Sequence, residues 1–138
     1  MERTITQGDH IVADMRYYHS RRPAHRETII LIKNQTFLVK RVIAMSGDSI
    51  EGQNNMIFVN GKEQYEPYVE HRSRAAELNW MINFGPIYIP NGKYFVMGDN
   101  RDVSLDSRSA EFGLIDDSSV VGKPLYVFGS DRQGRSVR

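Results

Sequence analysis

Tyr94-Phe95-Val96-Met97-Gly98-Asp99-Asn100-Arg101-Asp102-Val103-Ser104-Leu105-Asp106-Ser107-Arg108 is the stretch on which the reading of this chain turns. Its first four residues form an uninterrupted apolar run that reads as a strand. From Gly98 onward most side chains are polar. Unpaired, each such group costs about 1–3 kcal/mol to bury, so the run is either a solvated Asx-rich turn or a built network. The strand in front of it favours the network, because a strand delivers its end to a fixed place.

Outward from this run the pattern is mostly strand. Thr28 to Ile32 is apolar and β-branched, and Lys33-Asn34-Gln35 is a turn before a second strand from Thr36 to Ile43. Met56 to Val59 meets Asn60-Gly61, the favoured type I′ hairpin dipeptide, so a return strand is expected from Lys62 to Tyr65. Ile87 to Ile89 and Lys93 to Met97 flank Pro90-Asn91-Gly92 as strand, turn and strand. Val120-Val121 and Leu125 to Phe128 read as a last pair joined through Gly122-Lys123-Pro124. Ser73 to Trp80 is the one helix candidate, and Asp131 to Arg138 reads as a frayed polar tail. The expected fold class is all-β, an assembly of coiled antiparallel β-sheets.

With 138 residues the chain is long enough for one domain and one core. Its hydrophobic share of 40% and charged share of 25% are those of an ordinary globular protein. A net charge of +1 argues against a dedicated nucleic-acid binder. The absence of cysteine excludes disulfides and thiolate metal sites, and the four histidines lack ligand-like spacing, so no metal is expected. No apolar run approaches the ~18–20 residues of a membrane span. The basic, tyrosine-bearing stretch Arg16 to Arg26 is a solvated loop or a contact for anionic headgroups. Trp80, Met81, Ile82, Phe84 and Ile87 are core or a membrane-facing rim.

If Phe37 to Ala44 is a strand, Lys40 shares its face with Leu38, Val42 and Ala44, while Arg41 points the other way with Val39 and Ile43. Apolar neighbours hydrate a lysine poorly and disfavour its charged form. Serving as a base at neutral pH requires a pKa lower by ~3 units, a differential cost of about 4 kcal/mol. The competing reading is a lysine that snorkels to water.

Four segments, in order, give the chain a resemblance to the type I signal peptidases, the membrane-bound Ser/Lys peptidases of family S26. Gly8-Asp9-His10-Ile11-Val12 resembles the strand after that family's nucleophile box, and Lys40-Arg41-Val42-Ile43-Ala44-Met45-Ser46-Gly47-Asp48 its general-base box. Gly85-Pro86-Ile87-Tyr88-Ile89-Pro90 leads, as in the family, to the final box at Gly98 to Arg108. The resemblance implies a barrel-like catalytic domain over residues 1–130, with a short β-rich insertion at about 51–84 and a polar tail at 131–138. It implies that Lys40 is the general base and that Ser104 holds the lysine amine in aim. Asp106 and Arg108 become a supporting ion pair, Gly98 leaves room for the lysine stem, and Asp99 with Asn100 ties down the turn.

The family's nucleophile box reads Ser-Met-x-Pro-Thr-Leu and is followed by Gly-Asp. Setting Gly8-Asp9 on that Gly-Asp puts Thr4-Ile5 on Thr-Leu, Arg3 on the proline and Met1 on the methionine. The nucleophilic serine is then expected immediately before Met1, and this chain by itself is expected to be inactive. Ser46 and Ser104 are the alternative nucleophiles. The activity implied is Ser-Lys acyl transfer, without metal or organic cofactor, that removes signal peptides from exported pre-proteins. The implied setting is the outer face of a membrane, reached through an N-terminal anchor, with no nucleic-acid partner. Alternatives are a non-catalytic β-domain that binds peptides or a membrane surface, and a related Ser/Lys peptidase of the plasmid-transfer or self-cleaving repressor kind.

Overall fold

The structure is a computed structural model and describes residues 5–69, 83–129 and 134–137. Among them the fold is all-β and antiparallel, with one 3-10 turn at Asp117–Ser119. The strands are β1 His10–Asp14, β2 Thr28–Lys33, β3 Thr36–Met45, β4 Ser49–Gln53, β5 Met56–Val59, β6 Lys62–Glu63, β7 Phe84–Tyr88, β8 Lys93–Met97, β9 Ile115–Asp116, β10 Val120–Phe128 and β11 Gly134–Ser136. One sheet runs β1-β10-β2-β3-β8-β9 with β11 added to β10, and the other runs β6-β5-β4-β7. Both sheets keep open edges among the described residues, so the assembly of antiparallel sheets is barrel-like without being a closed barrel there. None of the described helices is long and apolar enough to cross a membrane. The helix candidate at 73–80 lies outside the described residues.

Three two-residue turns set the hairpin registers, and each has both central residues at positive φ: Asn34 and Gln35, Asn54 and Asn55, Asn60 and Gly61. That geometry matches the right-handed twist of the flanking strands, and Asn and Gly tolerate it best. The β2–β3 hairpin is thereby fixed with Ile29 opposite Lys40 and Thr28 opposite Arg41.

After Lys93, strand β8 is an apolar run, Tyr94 to Met97, because both of its faces are covered there. Phe95 and Met97 pack with Ile43, Ala44, Ile50, Ile57, Val59 and Ile89, while Tyr94 and Val96 pack with Ile29, Leu31, Val42, Phe112 and Ile115. Phe84 and Ile87 lie against the first of these clusters, which places them with the core; Trp80, Met81 and Ile82 are outside the described residues. Each fully buried aliphatic or aromatic side chain contributes about 1.5–3 kcal/mol.

The structure departs from the sequence reading in four places. Val120 to Phe128 is one continuous strand and not a pair; its first part bonds β2 and the rest bonds β1, with a register shift between Val120 and Gly122. A bulge lets a single strand turn from one partner to another. Strands β7 and β8 are successive but do not form a hairpin, since β7 pairs with β4 and β8 with β3. The return strand after Asn60-Gly61 is limited to Lys62–Glu63. Residues Gly134–Ser136 of the expected frayed tail pair with β10.

Asp48 fastens the corner where β3 passes into β4. Its carboxylate accepts from Met45 N at 2.8 Å, His25 Nε2 at 2.6 Å and Asn60 Nδ2 at 2.8 Å. Burial on its own would raise the Asp48 pKa, but these donors together hold it below the usual 3.8. A depressed carboxylate stabilises the fold above its unfolded pKa, and that contribution is lost as pH falls through the folded value. Asp48→Asn is therefore expected to lower stability at neutral pH and to flatten its decline between about pH 5 and about pH 2. Denaturant midpoints measured across that range check this, and parallel curves for the two proteins would contradict it.

Candidate active site

Lys40 sits in the middle of β3, half-buried, and its Nζ donates to Ser104 Oγ at 2.8 Å. The Phe112 ring centre lies 5.8 Å from the same nitrogen. Burial pushes the Lys40 pKa below its ordinary 10.5; the Asp106 carboxylate opposes that shift and the Arg108 guanidinium adds to it. Leu38, Lys40, Asn100, Val103, Ser104, Leu105 and Phe112 line a cleft of about 310 Å³. Val103 and Leu105 are exposed at its rim, 74% and 54%, so the cleft presents apolar surface to solvent beside the amine.

The strand face around Lys40 differs from strict alternation. A register shift between Val42 and Ala44 leaves Ile43 as an extra residue against β8. Ala44 consequently packs in the first core cluster, beside Ile43 and away from Lys40, while Val42 and Leu38 stay with the second.

Behind Ser104 stands a buried ion pair. Arg108 Nε donates to Asp106 Oδ1 at 2.8 Å and Arg108 Nη2 to Asp106 Oδ2 at 2.9 Å. Gly98 N donates to the same carboxylate at 3.0 Å. Burial alone would raise the Asp106 pKa, but Arg108, Gly98 N and the Ser104 hydroxyl bring it below the usual range. Arg108 Nη2 also donates to Arg101 O at 2.8 Å and to Ser104 O at 3.4 Å, which closes the loop on itself.

Gly98 makes room for Ser104, and less for the lysine stem that the sequence reading assigned to it. A Cβ at position 98 would lie 2.4 Å from Ser104 Oγ and 2.6 Å from Ser104 Cβ, against 3.7 Å from Lys40 Nζ. Asp99 does more than tie its own turn. Arg41 Nε and Nη2 each donate to its carboxylate at 2.8 Å, and Arg41 Nη1 donates to Arg26 O at 2.8 Å. Asn100 holds the turn through its backbone, with Ser104 N donating to Asn100 O at 3.2 Å. Ser46 Oγ accepts from Gly92 N at 2.9 Å.

Four residues of this region carried no assigned role in the sequence reading. Arg41 is buried behind Lys40, with the Tyr68 ring 4.0 Å from its guanidinium carbon. Arg101 forks onto Glu66 at 2.6 and 2.8 Å. Arg41 had a signal, since alternation puts it opposite Lys40; Glu66 and Tyr68 had none. Among the described residues no group of histidines and carboxylates is arranged to hold a metal ion.

Comparison with known proteins agrees with this architecture. The sequence model of the family described as "Signal peptidase, peptidase S26" matches residues 1–128. A Signal peptidase I P of Bacillus subtilis subsp. natto is 44% identical over 99 residues, covering 70% of this chain and 53% of the relative. A Signal peptidase IB of Staphylococcus aureus (strain Mu50) is 34% identical over 140 residues, covering 93% of this chain and 72% of the relative. The crystal structure of a signal peptidase I from Enterococcus faecalis V583 superposes with a TM-score of 0.59 at 27% identity, covering 75% of this chain and 97% of that one. With a Bacillus licheniformis relative covered to 50%, the chain spans about half the length of several curated relatives. Fold and sequence thus place the chain among the peptidases. It belongs to the signal peptidase family, peptidase S26.

Gly98→Ala is expected to drive Ser104 away from Lys40, since the new methyl and the hydroxyl cannot both fit. The overpacking should cost about 1–3 kcal/mol in a denaturant titration. Unchanged stability together with an intact Lys40–Ser104 hydrogen bond in the variant's crystal structure would refute the assignment.

Proposed function

We propose that the protein of which this chain is part is a type I signal peptidase, and that Lys40 is its general base. The observation that carries this reading is a half-buried lysine whose amine donates to Ser104 at 2.8 Å and opens onto an apolar cleft. Neutral Lys40 takes the proton of a serine hydroxyl as that oxygen attacks the scissile carbonyl, and returns it to the leaving amine. Water then cleaves the acyl-enzyme by the same proton traffic in a second round.

Ser104, Asp106 and Arg108 orient the base, and Gly98, Asp99 and Asn100 hold the turn that carries them. The substrates are pre-proteins bearing signal peptides, bound as an added strand with small residues one and three before the cut. The cleft wall of Leu38, Val103, Leu105 and Phe112 supports a preference for small apolar side chains. The membrane setting, through an N-terminal anchor on the outer face, follows from the same reading. No cofactor enters the reaction.

The test is direct titration of the lysine. With ε-13C-labelled lysine, the Lys40 resonance should titrate below the ordinary range of a lysine. In the full-length parent, Lys40→Met should abolish cleavage of a pre-protein, a loss of at least about 10³-fold. A serine-reactive acylating probe should leave Ser46 and Ser104 of this chain unlabelled. An ordinary Lys40 titration, or stoichiometric labelling of either serine, overturns the assignment of roles.

A further inference from the structure

Residues that follow β6 leave the second sheet and run against the loop that carries Ser104. Glu66 in this segment accepts both Nη atoms of Arg101, at 2.6 and 2.8 Å, and the pair is shut away from solvent with side chains 9% and 5% exposed. Tyr68 Oη donates to Glu66 Oε1 at 3.1 Å while its ring covers the Arg41 guanidinium. A bidentate carboxylate–guanidinium pair fixes direction as well as distance. Buried, it is costly to break, because the surviving charge has no solvent to turn to.

The clamp acts on the site through the backbone. Arg101 Nε donates to Gly98 O at 3.1 Å, and Arg101 O accepts from Arg108 Nη2 at 2.8 Å. Gly98 is the position that must stay close to Ser104, and Arg108 is the partner of Asp106. Arg101 therefore grips both ends of the 98–108 loop, and Glu66 determines where Arg101 stands.

We propose that Glu66 is a positioning residue for the Lys40–Ser104 pair, acting through Arg101 on the Gly98 turn. The second sheet then does more than add bulk beside the site: its exit segment locks the loop that aims the base. What is positioned rests on the reading of Lys40 and Ser104 given above; that a loop is locked does not.

Amide hydrogen exchange on this chain separates the two. Ser104 N donates to Asn100 O and Ser107 N to Val96 O, so both amides report the closed loop. In Glu66→Gln they should exchange about tenfold faster relative to the buried amides of β3 and β8. Glu66→Asp, which keeps the charge but is too short to fork onto both Nη atoms, should show a smaller change of the same kind. Val127→Ala is the control for general destabilisation, and there the loop amides should speed up only in step with the strands. Lys40 in Glu66→Gln should titrate closer to an ordinary lysine, since a loosened loop admits water, while in Val127→Ala it should not move. Loop amides that follow the strand amides in both Glu66 variants would overturn the proposal. An ordinary Lys40 titration in the unmutated chain would overturn the base assignment alone, leaving the loop amides to decide the positioning role.

Discussion

The site depends on a carboxylate that has no business being buried by itself. Asp106 is 1% exposed, and its charge is tolerable there only because Arg108 forks onto it and Gly98 N completes its coordination. Removing one member of such a pair costs about 3–5 kcal/mol, yet a well-packed apolar pair in its place is often no less stable. Stability is therefore a poor account of why charges stand here. Geometry is the better one: the same guanidinium reaches Arg101 O and Ser104 O, so the pair folds the loop around itself and turns Ser104 toward β3.

Strand β3 uses its two faces for two different electrostatic tasks. Arg41 on one side is neutralised in full by Asp99, with Tyr68 stacked over it, and so spends its charge on holding β3 to the turn after β8. Lys40 on the other side meets a hydroxyl. A carboxylate in direct contact would have stabilised the ammonium and raised its pKa; Ser104 as the contact, with Asp106 one step behind and offset by Arg108, allows burial to prevail. The adjacent cations at 40 and 41 thus have opposite fates because the pleat sends them to different neighbours.

Much of this was legible in the sequence, and what was not has definite causes. Local chemistry carried the hairpin turns at Asn34-Gln35 and Asn60-Gly61, the apolar run of β8 and the alternation that separates Lys40 from Arg41. Failures came wherever one residue or a distant partner decided the outcome. The bulge at Ile43 moves Ala44 off the lysine's face, and no propensity marks it. Gly122 and Pro124 look like a turn but lie within β10, where the strand changes partner. Arg41 and Asp99 are 58 residues apart, and Glu66 and Arg101 are 35 apart. Neither link has a signal in spacing, and the Gly98–Arg108 string named its family far better than its own contacts.

The hydrogen of Ser104 explains why a hydroxyl serves the proposed base better than any other contact. Its oxygen accepts from Lys40 at 2.8 Å, and its nearness to Asp106 helps to hold that carboxylate below the usual range. A hydroxyl has one proton; once that proton points at Asp106, it cannot be donated to the lysine. Neutral Lys40 has two N–H bonds and one lone pair. Ser104 can then take an N–H, which orients the amine and leaves the lone pair unspent. A serine free to rotate would cap that lone pair instead and turn the base into an acceptor already occupied. In the proposed reaction Asp106 would thus work at one remove: a Ser104 proton turned toward it leaves the amine's lone pair open to the hydroxyl of the nucleophilic serine.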